Sequence, residues 1–424
     1  MTNVYLLSDT VTGPYESLIV LSVFILFGLL FGKLVEKIKI PYITGYIFSG
    51  LLMGGLLVLL NIHHLIADLE IISSIALGFI AFGIGRELIF DKIKKSGVEI
   101  IVLTIVQALF TTFAVSVGLI LFGVSVPVAL IFGAIATATE PASIMLLTKK
   151  YRTKGPLTNT LIPLVGFDDA VGIIIFGVLL SIAKSLEKGV SLNFLNAIKE
   201  PVIELFFSLL VGVVVGELVT LITKKINSKG EEKSDMFLDV SIFGVFLTVA
   251  IAKIGLNFGD FTVHLSPILT PMIFGVTIAN SVSKVDVYDI GLAVDKFIPP
   301  ILIAFFTIAG AELIIAFLNQ PNIVLSTLLV VVIGYVGLRT FGKVFGAYLG
   351  ARIMKSSPPI RKYLGISLLP QAGVALGMAY QARTDFASEG VTILIVVLIA
   401  TVFYALVGPM GVKYALYKSG ETNI

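Results

Sequence analysis

The chain of 424 residues is 57% hydrophobic and only 13% charged, contains no cysteine or tryptophan, and has a mean hydropathy of +1.04. Since water-soluble domains carry roughly 25% charged residues, this composition excludes an ordinary soluble protein and indicates a polytopic membrane protein. The lack of cysteine excludes disulfides, cysteine-ligated metal sites and thiol nucleophiles. The net charge of +3 is too small to indicate a nucleic-acid surface.

Thirteen apolar stretches approach the roughly 20 residues that a helix needs to cross a bilayer. In chain order they are residues 15–32, 42–60, 71–90, 97–122, 125–148, 157–183, 198–223, 236–254, 263–282, 297–318, 323–351, 363–382 and 391–412. The sequence therefore predicts an all-α polytopic membrane protein of about thirteen transmembrane helices. The first stretch is not preceded by basic residues, so it lacks the start of a cleavable signal peptide.

The basic residues predict the orientation, because Lys and Arg of short loops collect on the cytoplasmic side. Loops after odd-numbered helices, with the C-terminal tail, hold 22 of the 30 basic residues, and the opposite loops hold 5. We expect the N-terminus outside and the C-terminus in the cytoplasm, with the protein in the inner (plasma) membrane. An odd helix count also fits two six-helix halves of opposite orientation around the seventh helix, the inverted-repeat architecture of secondary transporters.

Helices five and twelve, each the fifth of its half, both contain an interruption. Pro141 lies within residues 136–143, and residues 369–373 read Leu-Pro-Gln-Ala-Gly. Since proline removes a backbone donor and clashes with the preceding turn, both helices should break near mid-membrane, although either proline alone also fits a plain kink. The breaks expose carbonyls that can coordinate a cation, and Glu140 and Lys343 are candidates to neutralise the helix ends.

Adjacent carboxylates lie near the middle of helix six, at Asp168 and Asp169. Neighbouring helical residues point about 100° apart, so one carboxylate can face a cavity while the other faces a neighbouring helix. Ionisable groups at this depth are costly and mark ion or proton paths. Two structural ion pairs are the alternative interpretation.

Helix eleven carries two basic residues, Arg339 and Lys343, among glycines at four-residue spacing that allow close helix approach. A buried lysine needs a carboxylate, and Asp168 is the preferred partner, with Glu140 as the alternative. Arg339 lies one turn away on the same face. Of the other charges at membrane depth, Arg86 and Glu87 are interpreted as structural, and Glu312 remains open between a structural and a functional role.

Five motifs in order resemble the monovalent cation:proton antiporter superfamily, the sodium/proton exchangers. The similarity covers nearly the whole chain and rests on residues 40–54 with 79–88, 139–142, 167–169, 343–346 and 369–375. Residues 139–142 resemble the Thr-Asp-Pro motif of the broken helix, and residues 167–169 resemble the ion-site motif.

The resemblance implies a homodimer in which each chain has a core domain and a dimerisation domain, without an enzymatic activity or a cofactor. The core would comprise residues 97–183 and 323–412, the dimerisation domain residues 15–90 and 236–318, and residues 198–223 a linker helix. By the same resemblance Asp169 carries the ion, with Asp168, Thr139 and Glu140 in the site for sodium and protons. Lys343 and Arg339 compensate the charge.

The resemblance points towards the electrogenic branch, in which Asp168 and Lys343 form a pair. Electroneutral members usually read Asn-Asp at the ion site, preceded by Glu-Ser where this chain has Leu164-Val165. However, residues 139–141 resemble the electroneutral branch, and Arg339 could serve as its arginine.

We therefore expect exchange of sodium or lithium for protons, with electroneutral sodium/proton or potassium/proton exchange as the alternative. A cation channel or a cation-coupled symporter would also use broken helices. An intramembrane aspartyl protease is disfavoured, since it needs aspartates from separate helices.

Overall fold

A computed structural model describes residues 15–37, 42–187, 194–225, 231–258, 261–263, 265–319, 325–371, 373–386 and 389–422. Several positions used above lie outside the described residues: Lys39, Lys188 and Lys229 of the predicted loops, Ile323 at the start of a predicted span, and Ala372 of the second interruption.

The described part of the chain is almost entirely helical, as predicted. Its helices are α1 Tyr15–Lys37, α2 Tyr42–Leu59, α3 Glu70–Glu87, α4 Phe90–Leu121, α5 Val126–Ile135, α6 Pro141–Lys150, α7 Pro156–Glu187, α8 Phe194–Lys225, α9 Glu231–Ile254, α10 Leu269–Ser281, α11 Lys284–Asn319, α12 Leu325–Ile353, α13 Pro358–Ser367, α14 Gly373–Asp385 and α15 Gly390–Lys418. A 3₁₀ helix, His63–Leu69, precedes α3.

The thirteen predicted spans correspond to these helices. In the described residues ten helices are long and apolar enough to cross a membrane, and α10 is a shorter apolar helix of 13 residues. The other two spans are the predicted broken helices, α5 with α6 and α13 with α14. The polytopic fold with discontinuous helices is confirmed.

Proline and glycine account for several helix boundaries. Pro141, Pro156 and Pro358 begin helices α6, α7 and α13, where the missing N–H has no intrahelical partner to lose. Gly97 kinks α4 with φ +83°, a conformation that glycine adopts without steric cost. The apolar part of α4 begins at this kink, as predicted.

The segment before α10 differs from the prediction. Residues Leu256–Phe258 form strand β1, which pairs antiparallel with strand β2, Phe261–Val263. Val263, the expected first residue of the ninth helix, therefore lies in β2, and the helix begins at Leu269. Apolar residues occur in both strands and helices, so hydropathy alone does not separate this hairpin from the helix that follows.

The chain divides into two compact units. The first contains residues 15–76 and 297–319 of the described chain, and the second contains the remainder. The core of the first unit joins α1 and α2 to the C-terminal part of α11, through side chains such as Phe24, Leu57 and Ile308. The division into dimerisation and core domains, and the homodimer, stay predictions.

Within the second unit, α12 lies closely against α4 along a ridge of glycines. A β-carbon added at Gly342 would lie 2.8 Å from Thr111 Cα, and one added at Gly346 would lie 3.0 Å from Gln107 Cα. A third glycine, Gly350, faces Leu103 at 3.2 Å in the same way. The glycine spacing noted in the sequence thus brings the two backbones together.

The start of α7 is capped from a distant part of the chain. The buried carboxylate of Glu421 accepts hydrogen bonds from the backbone N–H of Leu157 at 2.6 Å and of Thr158 at 2.8 Å. The Thr158 hydroxyl donates to the same carboxylate at 2.7 Å. These contacts satisfy N–H groups that have no partner within the helix, and a negative charge there also suits the helix dipole.

Candidate ion-binding site

The two broken helices meet at their interruptions. The Glu140 backbone N–H donates to the Pro370 carbonyl at 3.0 Å, and the Gln371 side chain donates to the Ile135 carbonyl at 3.1 Å. The Thr139 hydroxyl donates to the Leu368 carbonyl at 3.3 Å. Since each interruption supplies partners for the other, irregular backbone is stable inside the protein at this depth.

Arg339 binds the carbonyl ends of both broken helices. This fully buried residue of α12 donates to the carbonyls of Ala136 at 3.1 Å and Ala138 at 2.8 Å, which follow α5. It also donates to the Leu369 carbonyl at 2.8 Å, just after α13. Its guanidinium stacks 4.2 Å from the centre of the Tyr404 ring. A cation is favourable at a helix C-terminus, so one side chain serves two of them.

Lys343 pairs with Asp168, the preferred partner, and not with Glu140. Its Nζ lies 2.8 Å from Asp168 Oδ2, and both side chains are completely buried. Lys343 also donates to the Thr139 hydroxyl at 2.8 Å and to the Thr137 carbonyl. The ammonium group therefore uses all three of its protons on the ion pair and the first broken helix.

The second oxygen of Asp168 also has a partner. Gln107, a buried residue of α4, donates from Nε2 to Asp168 Oδ1. Asp168 is therefore held by donors from two helices, α4 and α12, in addition to its own position on α7.

Asp169 differs from its neighbour, although it is almost as deeply buried, with 4% of its surface exposed. The Thr139 backbone N–H interacts with its carboxylate. Its Oδ1 has no hydrogen-bond partner among the described residues. A buried carboxylate oxygen without a donor is costly, so this atom is the place where a proton or a cation would stabilise the site most.

Glu140 lies directly before α6, with its carboxylate beside the first turn of that helix. The Ser143 hydroxyl donates to its Oε2 at 2.5 Å. A carboxylate at this position is favourable because the N-terminus of a helix carries a partial positive charge. Glu140 thus lies at the end of a broken helix, the position at which the sequence suggested that it neutralises the helix end.

The formal charges of this group do not balance. Arg339 and Lys343 contribute two positive charges, whereas Glu140, Asp168 and Asp169 contribute three negative charges when ionised. The two C-termini and two N-termini of the half-helices carry opposite partial charges of about half a unit each, and these cancel in pairs. These side chains therefore carry surplus negative charge, and Glu87 at the end of α3 adds a further carboxylate whose field reaches Asp169. A monovalent cation or a proton at Asp169 would reduce the surplus.

Arg86, Glu87 and Glu312 are the other charges considered in the sequence, and the field of Glu87, the last residue of α3, reaches Asp169. Arg86 forms an ion pair with Asp295 at 3.1 Å, and 63% of the aspartate side chain is exposed, so the structural interpretation of Arg86 is consistent with its geometry. Glu312 is buried in α11, in the first unit.

Sequence reasoning missed Gln107 and the carbonyl contacts of Arg339. The sequence contains one signal for Gln107, because it is an amide in an otherwise apolar predicted span. Arg339 was expected to compensate charge, whereas its partners are main-chain carbonyls that no sequence pattern identifies.

Known proteins resemble this chain in sequence. A family model described as sodium/hydrogen exchanger, transmembrane, matches residues 21–416. The Na(+)/H(+) antiporter 1 of Methanocaldococcus jannaschii is 28% identical over 158 residues, and the matched stretch spans 37% of either chain. The chain thus aligns with little more than a third of the length of that relative.

Solved structures resemble the whole chain. The sodium proton antiporter MjNhaP1 from Methanocaldococcus jannaschii at pH 8 superimposes with a TM-score of 0.73 at 19% identity, covering 95% of this chain and 98% of the other. An electron microscopy map of the same antiporter gives a TM-score of 0.67 at 18% identity over 97% and 99% of the chains. At such identities the likeness shows the fold, whereas the family model covers most of the sequence: the chain belongs to the transmembrane sodium/hydrogen exchanger family.

Proposed function

We propose that this protein is a secondary active antiporter that exchanges sodium or lithium for protons, with Asp169 as the group for which the two ions compete. The observation that carries the proposal is the negative charge of Asp169 at the crossing of the broken helices, which the nearby basic side chains do not balance. Its Oδ1 has no hydrogen-bond partner among the described residues. A proton and a monovalent cation each neutralise that charge, but both cannot do so at once.

Competition for one carboxylate is sufficient to couple the two ions. When Asp169 is occupied by either ion, its charge is neutralised, and the transport unit can cross the apolar barrier. When Asp169 is empty, the surplus charge opposes the movement. Alternating access of this kind moves one part of a transporter past another around a fixed site.

The ion pair of Asp168 and Lys343 supports an electrogenic cycle. If binding of sodium at Asp169 also releases a proton from this pair, two protons exchange for one sodium and one net charge moves. Such a charge is worth about 2.3 kcal/mol per 100 mV of membrane potential, so voltage alone could drive the exchange. If Lys343 keeps its proton throughout the cycle, the exchange is neutral.

Purified protein in vesicles with an acidic interior tests the proposal. Addition of external sodium or lithium should collapse the pH gradient, with potassium tested in parallel. Asp169→Asn should reduce the collapse by at least about a hundredfold, since the carboxylate is the coupling group. The control Asp295→Asn removes an exposed carboxylate from the ion pair with Arg86 and should leave the rate unchanged.

Clamping the voltage in the sodium and lithium runs separates the two stoichiometries. Two protons leaving for each sodium would build an interior negative potential that slows exchange, so potassium with valinomycin should accelerate the collapse. An unchanged rate would establish neutral exchange. Full exchange by Asp169→Asn would refute the role of Asp169, and an ion current without proton coupling would indicate a channel.

We further propose that the protein acts in the plasma membrane as a homodimer, with the N-terminus outside and the C-terminus in the cytoplasm. The orientation is supported by the distribution of basic residues, which is strongly biased towards one set of loops. The homodimer is what the resemblance to the exchangers implies.

A further inference from the structure

Gln107 has the contacts of a residue that keeps the two adjacent aspartates in different roles. It is completely buried on α4 and donates one amide hydrogen to Asp168 Oδ1. The same nitrogen, Nε2, also donates to the Thr104 carbonyl oxygen on the same helix at 3.2 Å. The amide nitrogen therefore has two acceptors, and the side chain is fixed in one orientation.

The orientation of the amide is determined by its neighbours. A flipped amide would place its oxygen against the Asp168 carboxylate, and two acceptors repel each other. In the present orientation Oε1 has no hydrogen-bond partner among the described residues. A buried polar atom without a partner is costly, and of the two contacts that offset this cost only the one with Asp168 reaches another helix.

Asp168 is thus fully engaged before any ion arrives. Lys343 occupies Oδ2 at 2.8 Å, and Gln107 occupies Oδ1. The two donors come from α12 and α4, which approach closely at Gly346. Asp169, the next residue, retains an oxygen without a partner.

We propose that Gln107 is a positioning residue that holds Asp168 against Lys343 and so reserves the transported cation for Asp169 alone. This inference rests on the proposed exchange function. Without the amide, Asp168 Oδ1 would lack a partner and would be free to coordinate a sodium ion held at Asp169. Sodium would then have two carboxylate ligands, bind more tightly and leave more slowly.

Two substitutions at Gln107 test the role of the amide. Gln107→Met keeps the length of the side chain and removes the donor, and Gln107→Glu keeps the shape and replaces the donor by an acceptor. Loss of a hydrogen bond to a charged group changes an equilibrium constant by about tenfold or more. We therefore expect the maximal exchange rate of either variant to fall about tenfold, while the KM for sodium falls at least about threefold.

Gln381→Met is the matched control. Gln381 is also buried and donates to an aspartate, Asp385, at 2.7 Å, so its loss has the same chemistry outside the ion site. We expect its KM for sodium to stay within about twofold of wild type. A variant that is merely less well folded has fewer active molecules, which lowers the maximal rate but leaves KM unchanged.

A double-mutant cycle shows whether Gln107 acts through Asp168. Calorimetric titration of the detergent-solubilised protein with sodium measures binding even where transport is lost. Gln107→Met should tighten binding at least about threefold in the wild-type background and have no effect in the Asp168→Asn background.

The outcomes separate this inference from the proposed function. If wild-type vesicles show no cation-dependent proton movement, the proposed function is wrong and the role of Gln107 fails with it. If wild type exchanges but Gln107→Met has an unchanged or raised KM, only the role of Gln107 is refuted. An equal change of affinity in both backgrounds would also refute it, because Gln107 would then not act through Asp168.

Discussion

The buried positive charge of Lys343 is compensated by the carboxylate of Asp168, which lies 2.8 Å away. Both side chains of the pair have no exposed surface, so removing one partner leaves a buried, uncompensated charge. Such a loss destabilises proteins by about 3 to 5 kcal/mol, whereas replacing both partners with groups of similar size is often neutral.

This asymmetry gives a prediction for Lys343→Ala. The single variant should unfold at a clearly lower temperature than wild type, and Lys343→Ala combined with Asp168→Asn should recover part of the loss. If Lys343 releases a proton in the cycle, exchange by the double variant should no longer respond to the voltage clamp. A double variant whose exchange still moves charge would show that the pair does not carry the second proton.

At the residue scale, the sequence alone identified the charged groups that are costly to bury. Asp168, Asp169, Arg339 and Lys343 are charges in apolar helices, and a charge at this depth needs a reason. Gln107 carries no charge, and its importance depends on which helix lies next to it. The pairing of Lys343 with Asp168 over Glu140 likewise depends on how the helices are arranged in space, which no local pattern encodes.

At the scale of the helices, the contact of α4 with α12 brings two hydrogen-bond donors to Asp168. An added β-carbon at Gly346 would lie 3.0 Å from the Gln107 Cα and 3.1 Å from its carbonyl oxygen. Gly346→Ala should therefore push the helices apart and destabilise the protein by about 1 to 3 kcal/mol.

The same helix supplies the control for this prediction. Gly337 is exposed, and no atom lies within 4 Å of an added β-carbon, so Gly337→Ala should be neutral or stabilising by about 0.5 to 1 kcal/mol. Thermal unfolding of both variants in detergent compares them. An equal loss at the two positions would mean that close helix approach is not the cause.

The cap of α7 is a second feature at the element scale. Glu421→Ala removes the acceptor for two backbone N–H groups and one hydroxyl, so we expect a loss of about 1 to 2 kcal/mol, as for other helix caps. Glu187→Ala, which removes an exposed carboxylate from the other end of α7, should change the midpoint of thermal unfolding little. Equal midpoints for the two variants would contradict the capping role.

Helix boundaries were predictable where a proline-containing segment interrupts an apolar run. Pro141 and the segment around Pro370 interrupt apolar runs, so both broken helices were visible in the sequence. The hairpin of β1 and β2 was not, because its short strands lie almost entirely in the loop between two predicted spans, where hydropathy gives no signal. The cap by Glu421 joins residues that are 264 positions apart, and a glutamate so far from α7 gives no sequence signal.

For the whole molecule, the testable property is its orientation. The chain has no cysteine, so a single introduced cysteine is the only thiol. His64→Cys, exposed in the 3₁₀ helix before α3, should react with a membrane-impermeant reagent on intact cells. Lys225→Cys, at the end of α8, should react only after the membrane is permeabilised. The reverse pattern would place the N-terminus inside.

The overall architecture was the most predictable property, because the bilayer restricts the secondary structure that a spanning segment can adopt. In lipid every backbone polar group needs an internal partner, so apolar segments of about 20 residues become helices. What remained open was the arrangement of the helices, since side chains of similar apolarity can pack in many ways. Family membership and the likeness of fold then agree with the helix count and the paired breaks.

The cap of α7 also has a consequence for the order in which the protein is made. A ribosome adds about 5 to 20 residues per second, so Glu421 is joined to the nascent chain roughly 10 to 50 s after Leu157, its partner 264 residues earlier. During that interval the helix that carries both aspartates has been synthesised while its first N–H groups still depend on water. The helix that carries the ion site therefore receives its cap only after α15 has been translated. A ribosome that stalls within α15 would leave a chain that contains both aspartates but has α7 uncapped.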